Sequence, residues 1–250
     1  MQPKVTVVIA TFNASVSIEM ALASVLRQTF CNFEVLVIDG NSTDRTVEIV
    51  MSFEDDRIKC ISEPDSGIYD AFNKGIKLSN GELICFLGAD DIFCDTQHFH
   101  MAIASLINFK NEKGNVPLVG IFSGIAFVKE GKTVREWPAS EKEYKHYKGC
   151  VPPHPGALYS RASFENLGLF DERYRISGDY EWMLRFKAAG GDTIFMNTMT
   201  SVKMGMGGVS TSKKAFLRKM KEDLMICRRY FGILGIFYYF QKLALKLKQI

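Results

Sequence analysis

Four short apolar runs alternate with helical patterns over about the first 90 residues, and this alternation narrows the available folds more than any other feature of the chain. Val5 to Ala10 (VTVVIA) and Phe33 to Ile38 (FEVLVI) are continuous and mostly β-branched or aromatic, as strands buried on both faces are; Ile58 to Ser62 reads as a third, shorter strand and Glu82 to Leu87 (ELICFL) as a fourth. Between them, Ile18, Ala21, Leu22, Val25 and Leu26 recur at helical spacing; a second helix opens at Thr43 or Asp44 and runs to about Met51, and a third spans Ile68 to Leu78. Strict alternation implies right-handed βαβ units on a parallel sheet. Each run ends in polar residues: Thr11 and Asn13, Asp39 and Asn41, Glu63 and Asp65, Asp90 and Asp91. Ligands of open α/β sheets gather beyond the carboxyl ends of the strands, so these four loops are expected to share one edge.

The second half is more mixed. Leu118 to Val128 and Thr133 to Trp137 suggest an antiparallel pair turning at Glu130-Gly131. Cys150 to Pro155 (CVPPHP) reads as a stiff loop, Ala157 to Ser160 as a short strand, Arg161 to Leu167 as a helical turn, and Gly178-Asp179 as the start of a helix reaching about Ala189. A chain of 250 residues has room for one large α/β domain with a short appendage. The expected division is a main domain over 1–210, with halves at 1–92 and 93–210, and a basic helical tail over 211–250.

Charge supports that division. The net charge is only +3, which does not suggest a nucleic-acid binder, yet from Val202 onward 11 basic residues face two acidic ones. The body is therefore mildly acidic and the tail basic. Six scattered cysteines without CxxC spacing read as reduced thiols of a cytoplasmic protein, neither a disulfide framework nor a zinc site. No run approaches the ~20 apolar residues that a membrane span needs.

Four constellations carry chemistry. Asp90-Asp91 follows a buried strand; adjacent carboxylates either lie in a solvated turn or share a divalent cation, whose preferred ligands are hard oxygens. Asp39 ends the second strand, where an acid caps the following turn or accepts hydrogen bonds from a ribose or base. No glycine-rich phosphate loop follows the first strand, where Ala10-Thr11-Phe12-Asn13-Ala14 stands. Asp179, beside Gly178 at a helix start, is either an N-cap or a general base. His154 stands among Pro152, Pro153 and Pro155, in a stiff loop expected to be exposed. It is either structural or substrate-facing.

Taken together, VTVVIATFN, SVLRQTF, EVLVIDGNSTDRT, EPDSGIYDAFNKGI, GELICFLGADD and LGLFDERYRISGDYEWMLR resemble the family 2 inverting glycosyltransferases of the GT-A fold, over roughly residues 3 to 210. The nearest flavour is that of bacterial O-antigen, capsule or exopolysaccharide assembly. The resemblance implies a Rossmann-like, mainly parallel sheet flanked by helices, with a C-terminal helical extension. It implies that Thr11, Asn13 and Asp39 line a nucleotide pocket, and that Asp65, Asn73 and Lys74 lie near the nucleotide or diphosphate. Ala89-Asp90-Asp91 falls at the DxD position. Asp91 is then the direct ligand of Mn²⁺ or Mg²⁺, with Asp90 nearer the ribose or sugar. Asp179 falls at the acidic position of the "ED" motif as catalytic base, and His154 faces the acceptor. Three departures stand out: Ala89 replaces the first DxD acid, Phe72 stands where an arginine is frequent, and the late metal-binding histidine is missing. Gly205 to Ser210, in that histidine's region, offers backbone amides that would contact phosphate.

The implied reaction moves a sugar from a nucleotide-diphosphate donor, UDP-linked first, to a glycan or polyprenyl-diphosphate-linked acceptor. A catalytically degenerate nucleotide-sugar-binding protein and a nucleotidyltransferase are the alternatives; the latter expects a glycine-rich, basic first loop. In the tail, FGILGIFYYF (Phe231 to Phe240) lies between Arg228-Arg229 and Lys242, Lys246 and Lys248. This is either a helix in a membrane interface, which would put the protein on the inner face of the cell membrane, or a terminal helix packed on the body.

Overall fold

The computed structural model describes residues 4–146, 148–205 and 213–247. Its sheet begins with Val5–Thr11 (β1), buried at every position because both faces are covered. Val7 and Ile9 point to one face and Val8 and Ala10 to the other. The first set packs with Ile18, Leu22 and Val25 of α1 (Ile18–Leu26). The chain continues through β2 (Phe33–Asp39), α2 (Thr46–Met51), β3 (Ile58–Ser62), α3 (Ile68–Leu78) and β4 (Leu83–Gly88). Ala71, Phe72 and Ile76 of α3 cover the second face over Val8, Leu36 and Phe86. Strands β1 to β4 are all parallel, in the order β3-β2-β1-β4.

Beyond β4 come β5 (Asp91–Phe93), α4 (His98–Lys113), β6 (Val119–Lys129), β7 (Lys132–Trp137), α5 (Glu141–His146), β8 (Leu158–Ser160), α6 (Arg161–Leu167), α7 (Gly178–Ala188) and β9 (Asp192–Gly205). These strands extend the same sheet in the order β4-β8-β6-β9-β5, with β7 beside β6; β8 runs antiparallel to β4 and β6, and β9 parallel to β6. An aromatic cluster locks the two halves together. Trp182 of α7 stacks on Phe164 at 4.3 Å and meets Tyr159 edge-on at 5.0 Å, while Phe86 of β4 lies 5.7 Å from Phe164. Each such buried ring contributes about 1.5–3 kcal/mol by leaving water.

The tail folds as two helices, α8 (Lys213–Phe231) and α9 (Gly235–Leu247), where the run Phe231 to Phe240 suggests a single one. Two glycines break it. Gly232 takes a φ of 58°, and a Cβ on Gly235 would stand 2.3 Å from the Cys227 carbonyl oxygen, so the corner tolerates only glycine there. One side of the hairpin packs on the body through buried Ile226, Cys227 and Tyr239. Lys242, expected as a solvated flanking cation, is instead buried: it pairs with Asp223 at 2.9 Å and its ammonium lies 3.0 Å from the Tyr180 ring centroid. Burial lowers its pKa, which the Asp223 charge opposes. The other side leaves Ile233, Leu234, Ile236, Phe237 and Phe240 in solvent, Ile233 at 91%. No helix among the described residues is long and apolar enough to cross a membrane, and no two of the six cysteines are joined by a disulfide among the described residues.

Candidate active site

Strands β1 and β4 are neighbours, but the chain leaves them in opposite directions, so a topological switch point lies between their carboxyl ends. Thr11 is in register with Asp39, and Ala10 with Gly88. With strands about 4.8 Å apart, the ends of β2 and β4 stand about 10 Å from one another. The loops beyond are stitched together. Asn13 (φ 49°) donates its N–H to the Ser42 hydroxyl at 2.7 Å and accepts the Thr43 N–H at 2.9 Å. Thr11 is buried, and its hydroxyl has no partner among the described residues.

Asp39 is fully buried and accepts from the Ser42 N–H (2.9 Å), the Ser42 hydroxyl (2.5 Å) and the Ser62 hydroxyl (2.7 Å). It thereby holds the turns after β2 and β3 together. Asp44, the alternative cap, accepts the Thr46 N–H at 3.0 Å where α2 opens. Asp65 lies against the same turn: a Cβ on Gly40 would meet its Oδ2 at 2.6 Å, and its Oδ1 accepts the Gly67 N–H at 2.9 Å.

The carboxylates of Asp90 and Asp91 close around Gly88. A Cβ there would meet Asp91 Oδ2 at 2.8 Å and Asp90 Oδ1 at 3.1 Å, so the pair needs glycine at the end of β4. Asp91 Oδ2 accepts the Gly88 N–H at 3.0 Å, while its Oδ1 is buried without a partner among the described residues. Burial, reinforced by the neighbouring Asp90 charge, pushes the Asp91 carboxyl up to about 7; burial also raises Asp90. A buried, orphaned carboxylate oxygen beside a second acid fits a hard divalent cation. Among the described residues no group of three or more acids, histidines or cysteines gathers, so the remaining ligands would come from the diphosphate or water.

Asp179 sits in the first turn of α7, half-buried. The Tyr69 hydroxyl lies 2.9 Å from its Oδ1 and 2.8 Å from the Ile176 carbonyl. Tyr69 is in the first turn of α3, at the carboxyl edge of the sheet, so this bond brings Asp179 to the edge that carries Asp39 and Asp91. Glu222 of α8 holds the turn before it, accepting the N–H groups of Arg175 (3.1 Å), Ile176 (2.9 Å) and Ser177 (2.9 Å). Tyr69 and Glu222 carried no local signal marking them for the site; Glu222 lies 45 residues from Ser177 in sequence. Removing it orphans three amides, so Glu222→Ala is expected to cost about 3 kcal/mol. In thermal denaturation that is a loss of about 6–12 °C; an unchanged midpoint would contradict the bracing role.

Of the remaining expected site residues, His154 departs from its expected exposure. His154 is not in an exposed loop but 6% exposed in the core, stacked on Phe86 at 5.2 Å, with Nδ1 3.2 Å from the Tyr159 hydroxyl. The prolines stiffen its loop, but Phe72, Phe86 and Phe170 enclose the ring, and burial lowers its pKa against the pull of the Asp179 charge. Its buried Nε2 has no partner among the described residues. Asn73 is buried, and its amide meets the Phe170 backbone and Glu172 at 2.9–3.0 Å, tying α3 to the segment before α7. Lys74 clamps the loop after β3, reaching the Pro64 carbonyl (2.8 Å) and Glu63 (3.0 Å). Met206 to Ser210 lies outside the described residues.

The model of the family described as Glycosyl transferase family 2 matches residues 6–168. The chain is 28% identical over 224 residues to a PGL/p-HBAD biosynthesis glycosyltransferase of Mycobacterium tuberculosis, covering 87% of this chain and 84% of that protein. Among solved structures it resembles Staphylococcus aureus TarS in complex with UDP, with a TM-score of 0.68 and 18% identity over 90% of this chain. It spans 65% of that TarS chain. It also resembles the mannosyltransferase PcManGT of Pyrobaculum calidifontis, in complex with GDP-Man and Mn²⁺, with a TM-score of 0.64 and 18% identity over 92% of this chain and 64% of that one. The shared fold is the GT-A fold of these glycosyltransferases.

Proposed function

The chain belongs to glycosyl transferase family 2, and from that premise we propose that it moves one sugar from a UDP-sugar to an acceptor hydroxyl in a single inverting displacement. The observation that carries this reading is the gathering of Asp39, the Asp90-Asp91 pair and Asp179 along one edge of the sheet, with Tyr69 fastening the last of them. TarS solved with UDP and with UDP-GlcNAc favours a uridine donor. PcManGT solved with GDP-Man and Mn²⁺ keeps GDP-sugars and metal use in view.

Thr11, Asn13, Asp39 and Asp65 form the nucleotide side, Asp39 facing ribose or base as it braces its own loop. Asp91, with Asp90 beside it, would hold Mn²⁺ or Mg²⁺, which offsets the charge that develops on the leaving diphosphate. Asp179 accepts the proton of the acceptor hydroxyl as that oxygen attacks the anomeric carbon. The new C–O bond forms opposite the old one, and the electron pair of the broken bond leaves on the β-phosphate oxygen. Tyr69 orients Asp179 through its hydroxyl, and buried His154 supports the acceptor side from beneath. A thermal-shift panel of UDP-, GDP- and dTDP-sugars with Mn²⁺ tests the reading. One nucleotide series is expected to raise the midpoint by several degrees, about 2.7 kcal/mol at a hundredfold excess over Kd; no shift with any would contradict it.

The acceptor in this reading is a lipid-linked glycan of a bacterial surface polysaccharide, met at the inner face of the cell membrane. What supports surface attachment is the apolar corner of α8 and α9, with Arg228 and Arg229 beside it. The protein is expected to float with vesicles of phosphatidylglycerol, and Ile233→Asp/Phe237→Asp to remain in solution. These side chains are 91% and 61% exposed, so the double variant keeps its fold. Equal flotation of both proteins would remove the attachment.

A further inference from the structure

A cavity of about 590 Å³ opens between α8 and the segment before α7, walled by Arg173, Tyr174, Arg218, Lys221, Glu222 and Arg229. Arg218, Glu222 and Arg229 recur at helical spacing on one face of α8. The charges there do not cancel. Glu222 is already bonded to the backbone N–H groups of residues 175–177. Arg173 and Arg229 both reach Asp171, at 2.6 and 3.6 Å. Arg218 and Lys221 are exposed and have no carboxylate partner among the described residues. A concave site with two unmatched cations and two more guanidinium groups suits a phosphate or diphosphate, whose oxygens accept several charge-assisted hydrogen bonds.

Its position narrows the ligand. Glu222, one wall, braces the turn that ends two residues before Asp179. Tyr174, another wall, is shared with a small cleft lined by Tyr69, the residue bonded to Asp179. The cavity therefore borders the segment that leads into Asp179, and neither Asp90 nor Asp91 lines it, so a donor diphosphate held at that pair does not account for it. In the other direction, Met225 is exposed at its rim, and the apolar corner begins at Ile233, four residues past Arg229 in sequence and just beyond the end of α8. Cations, then apolar surface, make the complement of an amphiphile with an anionic head.

We propose that this cavity holds the phosphate group of an amphiphilic acceptor, a lipid diphosphate whose attached sugar presents its hydroxyl to Asp179 and whose hydrocarbon chain runs over the α8–α9 corner. The assignment of acceptor rests on the transferase reading above; the anion site rests on the cavity alone.

The test uses the full chain with UDP and Mn²⁺ present in excess, so that the donor site is filled, and three probes: farnesyl diphosphate, farnesol and inorganic pyrophosphate. Calorimetry is expected to show farnesyl diphosphate binding at least about tenfold more tightly than either other probe, since farnesol lacks the charged contacts and pyrophosphate the apolar chain, and either loss is worth about that factor. Arg218→Gln/Lys221→Gln is expected to weaken it at least about tenfold while UDP affinity stays within twofold, which also shows the variant folded. Equal binding of farnesyl diphosphate by wild type and double variant would overturn the site. Pyrophosphate binding as tightly as farnesyl diphosphate would overturn the amphiphile in favour of a free anion. Binding only to phosphatidylglycerol vesicles, lost in the double variant, would overturn it in favour of a charged membrane surface. Cation-dependent binding of farnesyl diphosphate by a protein that takes no UDP would sink the donor reading and leave the anion site standing.

Discussion

Asp179→Asn is expected to lower kcat about 10³-fold and to leave UDP affinity within about twofold. The substitution is nearly isosteric, and the amide oxygen still accepts from the Tyr69 hydroxyl at 2.9 Å, so the start of α7 keeps its geometry. What disappears is the capacity to take a proton. A loss of that size corresponds to about 4 kcal/mol in the barrier, within the range for a positioned general base. In the proposed mechanism the side chain acts on the acceptor hydroxyl, and among the described residues it makes no hydrogen bond to the turn after β2, so donor binding is expected to be untouched. Steady-state rates with the nucleotide sugar found by thermal shift, beside a UDP titration, separate the two effects. Retained turnover would remove the base assignment; lost UDP binding would mean that the helix start, not the proton, had been disturbed.

Asp91→Asn is expected to act in opposite directions with and without metal. Burial and the neighbouring Asp90 charge push the Asp91 carboxyl up to about 7, against about 3.9 in an unfolded chain. Between those values the folded state holds a proton that the unfolded state has released, so this group's contribution to stability is full below about pH 4 and is lost as pH rises through 7. Asparagine carries no such charge. With a chelator present, the variant is expected to be more stable than wild type at pH 8, on the order of 2–4 kcal/mol, with the gap closing towards pH 4. With Mn²⁺ and UDP the order reverses, because wild type gains the bound cation and the variant does not. Thermal midpoints at the two pH values, with Mn²⁺ and with chelator, test both halves. A variant that remains Mn²⁺-responsive would place the metal elsewhere.

The strands and helices of the first half are legible because β1, β2 and β4 are continuous and buried on both faces, and all four strands, the half-exposed edge strand β3 included, are closed by polar residues. The same rule exposes Asp39, Asp65 and the Asp90-Asp91 pair, whose chemistry sits at strand ends. The second half resists such reading for physical reasons. Helix α4 buries Phe99, Ala102 and Leu106 but also His98, whose ring meets the Gly156 carbonyl at 2.8 Å, so its apolar stripe is interrupted. Strand β9 mixes Thr, Ser, Lys and Met and owes its existence to pairing with β6, whose partner residues lie 73 to 77 positions away in sequence.

The site residues that went unread are those defined by distant partners. Tyr69 matters through Asp179, 110 residues on, and Glu222 through three backbone amides. Spacing within a segment carries none of that. His154 shows the converse error: flanking prolines report stiffness, whereas exposure is set by the aromatic rings that other segments bring to it. The tail is intermediate. Its apolar and basic content is visible, yet only the close approach of Gly235 to Cys227 reveals which residues pack and which remain outside.

Single displacement is the claim on which the mechanism turns, and water can serve as its acceptor without knowledge of the natural one. Slow hydrolysis of an α-linked UDP-hexose, followed by proton NMR before the free sugar mutarotates, reads the stereochemistry directly. The β-anomer is predicted to accumulate first, at a rate that falls in Asp179→Asn. First appearance of the α-anomer would contradict the inverting mechanism and the role given to Asp179.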